Sequence, residues 1–158
     1  MTNNNTNDMH FDLTFSNVAV ENSKEAFQYV TNQISKLIGT PEKTLFGMLM
    51  EREETQNSGV GHGVAILDAK LPRLTRPIIL FLKLNQAINY QAADGEPVDM
   101  ITLVLSPEFE NFEHLRRISK VARFFSNTEA RDAMRQAEDY NDVRHAVDNI
   151  NQQRRAAA

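Results

Sequence analysis

Four histidines, at positions 10, 62, 114 and 145, and one acid, Asp68, are the side chains in this sequence whose type and setting invite chemistry. His10 lies in the N-terminal stretch and His145 on a polar helical pattern, neither with an evident partner. His62 sits between two glycines, and His114 opens an apolar-periodic segment. A zinc site would need three or four convergent ligands, and no His-Glu-x-x-His spacing occurs, so no metal is expected. With no cysteine in the chain, disulfides, thiolate metal sites and a cysteine nucleophile are excluded.

The stretch Ser58-Gly-Val-Gly-His-Gly-Val-Ala-Ile-Leu-Asp68 raises a second possibility. Gly59, Gly61 and Gly63 alternate as they would in a loop that cradles phosphate. A dinucleotide fingerprint, however, needs a strand before its glycines and a helix after them. Here the order is reversed, so the glycines read as a turn that uses positive φ before a strand. Asp68 closes the apolar run and is expected to end that strand, a position where Asp satisfies local backbone donors well. Further on, Arg116, Arg117, Lys120 and Arg123 lie off the apolar stripe of one helix. They read as its solvated side, with a basic docking face as the alternative.

The elements that must position these residues follow from periodicity. Ser23 is placed to cap a helix to about Ile38, with Ala26, Phe27, Val30, Ile34, Leu37 and Ile38 on one face and Gly39 as its stop. Thr40-Pro41-Glu42 reads as cap, first-turn proline and first-turn acid of a second helix to about Glu53. Segments 63–67, 77–84 and 97–105 read as strands, apolar on both faces. Helices follow at about 111–125, with Leu115, Ile118, Val121, Ala122 and Phe125 inward, then at 128–137 and 140–151. The pattern predicts an α/β domain, a small mixed sheet with helices packed on both faces.

At 158 residues the chain fits a single domain. Its apolar runs reach only about five residues, too short to span a membrane. The start of the chain has neither the basic flank nor the apolar centre of a secretory signal, so a cytoplasmic location is expected. A net charge of −4 argues against nucleic acid as a partner. Residues 1–10 are expected to be a disordered tail, 11–152 the domain, and 153–158 a frayed end.

Three ordered motifs carry a resemblance. Arg52-Glu53 followed by Ser58–Asp68, then Gly95-Glu-Pro-Val-Asp99, then the helix opening His114-Leu115 resemble the IIA domain of the mannitol/fructose class of the phosphoenolpyruvate-dependent sugar phosphotransferase system. The nitrogen-regulatory IIA proteins belong to that class. The resemblance covers about residues 12–150. It implies a domain that accepts a phosphoryl group on one histidine from the carrier protein HPr, then passes it to a IIB domain or holds it as a regulatory signal. It implies no cofactor and no membrane insertion. The family's acceptor histidine follows a proline. The matching positions here are Leu67 and Asp68, while Arg52 and His114 match the residues that flank the acceptor.

The resemblance therefore implies a phosphotransfer pocket, Arg52, Asp68 and His114 with Gly59, Gly61 and Gly63 nearby, whose acceptor is changed. Three readings are open. Asp68 is a fixed anion where a phosphate would sit, and the protein is a regulatory module that binds a protein partner. Or phosphate is carried elsewhere, on His62, His114 or Asp68 itself, in an active phosphocarrier for sugar uptake. Or the pocket has been turned to another use, as a small anion-binding module.

Overall fold

The computed structural model describes residues 8–157. A five-stranded mixed sheet runs in the order β1-β4-β5-β3-β2, with β1 Leu13–Val18, β2 Gly59–Gly61, β3 Val64–Leu71, β4 Ile78–Ile88 and β5 Val98–Pro107. β1 is parallel to β4 and β3 to β5, whereas the β4–β5 and β2–β3 pairs are antiparallel.

Side chains alternate across a strand, and the two faces bury two separate cores. On one side Ala65, Leu67, Leu80, Leu82, Ile101 and Leu103 pack with Phe27, Ile34, Leu45 and Leu49, carried by α1 (Ser23–Ile38) and α2 (Glu42–Thr55). On the other, Val64, Ile66, Phe81, Met100 and Val104 pack with Val121, Phe125, Met134, Val147 and Ile150. Those residues come from α3 (Phe112–Ser126), α4 (Thr128–Gln136) and α5 (Tyr140–Ala157). The predicted α/β architecture with helices on both faces is the one observed.

Several boundaries differ from expectation, each for a local reason. α1 is capped by Asn22, whose side chain accepts from the Glu25 backbone N–H at 2.9 Å, so Ser23 is the first helical residue rather than the cap. Gly39 does end α1 in the left-handed conformation, at φ 69°. Pro41, not Thr40, is the N-cap of α2 and makes no side-chain cap.

The frayed end expected from 153 is instead helical: α5 continues to Ala157. Nor are residues 8–10 a tail. Asn151 holds Met9 by both backbone groups, at 3.0 and 2.8 Å, and Asp8 bonds Arg154 at 3.1 Å and pairs with Arg155. The remainder of the expected tail, residues 1–7, lies outside the described residues.

Candidate functional site

Asp68 is the fifth of eight residues in β3 and pairs with Val104 in register, so the strand does not end there. By alternation its side chain points to the same face as Val64 and Ile66, toward α3. β2 meets β3 only at Val64 and Ala65, with one further bond from the Ile66 N–H to the Ser58 carbonyl. Past Ile66 no strand among the described residues pairs with the outer edge of β3. Arg52, from the last turn of α2, reaches Asp68 there.

The carboxylate is gripped from both sides. Arg52 Nε donates to Asp68 Oδ1 at 3.3 Å, and His114 Nε2 lies 2.8 Å from Asp68 Oδ2. The other ring nitrogen, Nδ1, lies 2.6 Å from Ser106 Oγ. Arg117 Nη1 donates to the same hydroxyl at 2.9 Å, while its Nη2 pairs with Glu110 at 2.5 Å. Because Arg117 can only donate, it leaves the Ser106 hydroxyl hydrogen to point at Nδ1, which makes neutral His114 the Nε2–H tautomer donating to Asp68. Beside an ionised Asp68, a charged imidazole would donate from both nitrogens. In neither state does His114 offer the cleft a lone pair. Ser106 is fully buried, so it orients His114 and is no nucleophile.

The cleft above this cluster has a volume of about 380 Å³ and is lined by Met48, Arg52, Asp68, Lys70, Asn111, His114 and Leu115. Lys70 Nζ donates to Asn111 Oδ1 at 2.6 Å, which holds a second cation at the rim. Three apolar side chains at and near the start of α3 are left in solvent. Phe109 is 78%, Phe112 69% and Leu115 62% exposed, so Leu115 is not inward as its spacing suggested.

The family model of the phosphoenolpyruvate-dependent sugar phosphotransferase system, EIIA 2, matches residues 9–150. The chain belongs to this family. Among its relatives, a nitrogen regulatory protein from Bradyrhizobium diazoefficiens is 33% identical over 120 residues, 76% of this chain and 78% of that protein. One from Escherichia coli is 30% identical over 113 residues, 71% of this chain and 69% of that protein. The crystal structure of nitrogen regulatory protein IIA-Ntr from Neisseria meningitidis aligns at a TM-score of 0.79 and 25% identity, covering 85% of this chain and 92% of that one. The mannitol IIA of Escherichia coli, at 13% identity, covering 85% of this chain and 94% of that one, shares the fold at a TM-score of 0.70.

Within this IIA chain the structure brings together Arg52, Asp68 and His114, and separates His62 and the three glycines from them. His62 is exposed at φ 57° in the β2–β3 turn, between Gly61 at 99° and Gly63 at 79°. The strand from Val64 to Asp68 alone spans about 13 Å, which sets this turn apart from the Asp68 site. His62 lines a different cleft, with Gly63, Asp94, Asp99 and Arg135. The glycines serve the backbone: a Cβ on Gly59 would lie 2.8 Å from the Ala92 Cβ. None of the three lines the Asp68 cleft; Gly61 and Gly63 have the positive φ expected of the turn, whereas Gly59 does not.

Sequence reasoning misses Ser106 and Glu110, and it assigns Arg117 to a solvated basic face. The spacing of Arg117, three residues after His114, puts both on one side of α3. That spacing is the available signal. Glu53, beside Arg52, accepts the Ser58 backbone N–H at 3.1 Å with both oxygens, tying the end of α2 to the loop that leads into β2. No helix among the described residues is long and apolar enough to cross a membrane.

Proposed function

We propose that this protein is a regulatory IIA of the nitrogen-regulatory type that does not carry phosphate on a histidine and binds its partner in one fixed charge state. The observation that carries the reading is the two-sided grip on Asp68, with Arg52 on Oδ1 and His114 on Oδ2. The likeness of residues 58–68 to the family pattern supports taking Asp68 as the acceptor position. A carboxylate there supplies permanently the negative charge that phosphorylation would add to a histidine. Phosphoryl transfer rests on positioning and charge stabilisation. Arg52 and His114 would supply both, so what is missing is the nucleophile.

Two observations speak against an active carrier. His114 has both ring nitrogens engaged. His62 stands in another cleft, where Arg135 is already paired with Asp99 and bonds the His62 backbone carbonyl rather than facing its ring.

The exposed Phe109, Phe112 and Leu115 beside the cleft support a protein partner. A IIB-like domain or an HPr-like carrier protein is the class expected. One structural neighbour, at 12% identity, is a complex of mannitol IIA with phosphorylated mannitol IIB from Escherichia coli. Location in the cytoplasm belongs to this reading.

The test is phosphorylation with phosphoenolpyruvate, enzyme I and HPr, read by intact mass. The wild-type protein is expected to gain nothing and Asp68→His to gain one phosphoryl group. A phosphorylated wild type would overturn the reading, and mapping would then decide among His62, His114 and Asp68.

A further inference from the structure

At the opposite end of α3 from His114, residues of α3 and α5 together with Met9 line a half-open cavity of about 420 Å³. This volume lies within the range of small-molecule sites. Its buried wall is formed by Met9, Phe124 and Ile150, which are 3%, 5% and 8% exposed, and by Asn151, 5% exposed, whose amide is taken up by the Met9 backbone. Three cations line it: Lys120, Arg123 and Arg154. Two of them have a structural task. Arg123 and Arg154 lie in the last turns of α3 and α5, where a positive side chain complements the helix dipole, and Arg154 is also bonded to Asp8 at 3.1 Å.

Lys120 has no such task. Among the described residues its ammonium has no ion-pair partner, and it stands one to two turns before the end of α3. Burial, then the nearby Arg116, Arg154 and Arg117, hold its pKa below the usual lysine value, against a smaller pull from the Asp8 carboxylate. A cation that is partly desolvated, crowded by like charges and set over a mainly apolar wall is a receptor for an anion with an apolar body.

We propose that this cavity binds a small amphipathic carboxylate, the carboxylate on Lys120 and the alkyl chain against Met9, Phe124 and Ile150. Lysine offers a point charge with three rotatable donors, which suits a single carboxylate head. The site is separate from the Asp68 cleft and does not depend on what that cleft does.

The probe is decanoate, titrated calorimetrically into the full-length protein, with decanol and acetate as controls and methyl NMR of Met9 and Ile150 to locate it. Decanoate is expected to bind and to shift both methyl groups. Shortening the chain should weaken binding about three- to fourfold per methylene. Lys120→Met, which keeps the stem and removes the charge, should weaken it at least tenfold, and Lys120→Arg should restore most of it. Decanol binding as tightly as decanoate, Lys120→Met leaving affinity unchanged, or methyl shifts elsewhere would each overturn the proposal.

Discussion

His114 Nε2 lies 2.8 Å from Asp68 Oδ2, a contact in which the histidine side chain is 6% exposed and the aspartate 18%. Arg52, on the other oxygen, is 42% exposed. The two grips on one carboxylate thus differ in burial, and their energetic weights should differ accordingly. An ion pair in contact with water contributes less than about 1 kcal/mol. Removing the buried imidazole takes away packing and strands the Ser106 hydroxyl, at a cost of about 2–4 kcal/mol. Urea unfolding of Arg52→Ala and His114→Ala should separate them in that order. Equal losses would mean that the arginine pair is far better shielded than its exposure indicates.

Ser106 is expected to control the imidazole rather than react. In Ser106→Ala both His114 Nδ1 and Arg117 Nη1 lose a partner inside the protein. Stability should fall by about 1–3 kcal/mol. Nε2–H stays donated to the Asp68 carboxylate, so the change should fall on His114 Nδ1, whose ¹⁵N shift should move as it loses the Ser106 hydroxyl. Unaltered ¹⁵N shifts in the variant would refute the orienting role.

Much of the fold is legible in the sequence. Helical periodicity predicts α1 to its last residue because one face buries Phe27, Val30 and Ile34. The three long strands emerge because both of their faces are buried. β1 escapes such a reading beside an Asn-rich start, although Phe11, Leu13 and Phe15 alternate with polar residues. A bend at Asp12 sends Phe11 to one core while Leu13 and Phe15 pack against the other, so no single-face pattern survives.

The expectation that Asp68 ends its strand fails for a related reason. Ala69 and Leu71 keep the α2-side core going past it, while the α3-side face turns polar at Asp68 and Lys70 to make the cleft. A polar residue inside a strand signals a site, not a stop. Arg52, Asp68 and His114 can be grouped only through the family resemblance, since 46 residues separate the last two and no local pattern carries such a contact.

Two glycines give opposite expectations for the same substitution. At Gly63, φ is 79° and a Cβ would lie 2.5 Å from Arg135 Nη2 and 2.9 Å from Asp99 Oδ1. Those two residues form a paired salt bridge, at 2.9 and 3.0 Å, that cannot simply swing away. Gly63→Ala should therefore cost about 2 kcal/mol or more. Gly47 lies within α2, and a methyl added there would meet nothing inside 4 Å, so Gly47→Ala should stabilise by about 0.5–1 kcal/mol. Denaturant midpoints that move the same way in both variants would contradict this contrast.

His10 supplies a pH signature away from the cleft. Its bond to Asp12 raises its pKa above the ordinary 6.5, against a smaller effect of burial. A raised folded value means the imidazolium is favoured in the native state. Its contribution is complete below 6.5 and is lost as pH rises through the folded value. Proton NMR should show His10 titrating above 6.5 in the wild type and falling back toward it in Asp12→Asn. Asparagine keeps an acceptor for the Ile79 N–H, now bound by Asp12 Oδ2 at 2.8 Å, so the strand contact is preserved. No fall in the variant would show that the carboxylate is not the cause.

If Asp68 stands where an anion would otherwise bind, removing it should let one in. In the wild type the carboxylate occupies the positive side of the cleft, facing Arg52 and His114 with Lys70 at the rim. Inorganic phosphate would meet that charge at short range and should not bind measurably. Asp68→Ala leaves the cations and clears the space, so phosphate should bind at millimolar concentration. Binding should vanish in the Arg52→Ala, Asp68→Ala double variant. The outcome separates the fixed anion from an anion-binding module: wild-type protein that takes up phosphate as well as Asp68→Ala does would favour the module, because the carboxylate would then not be filling the site.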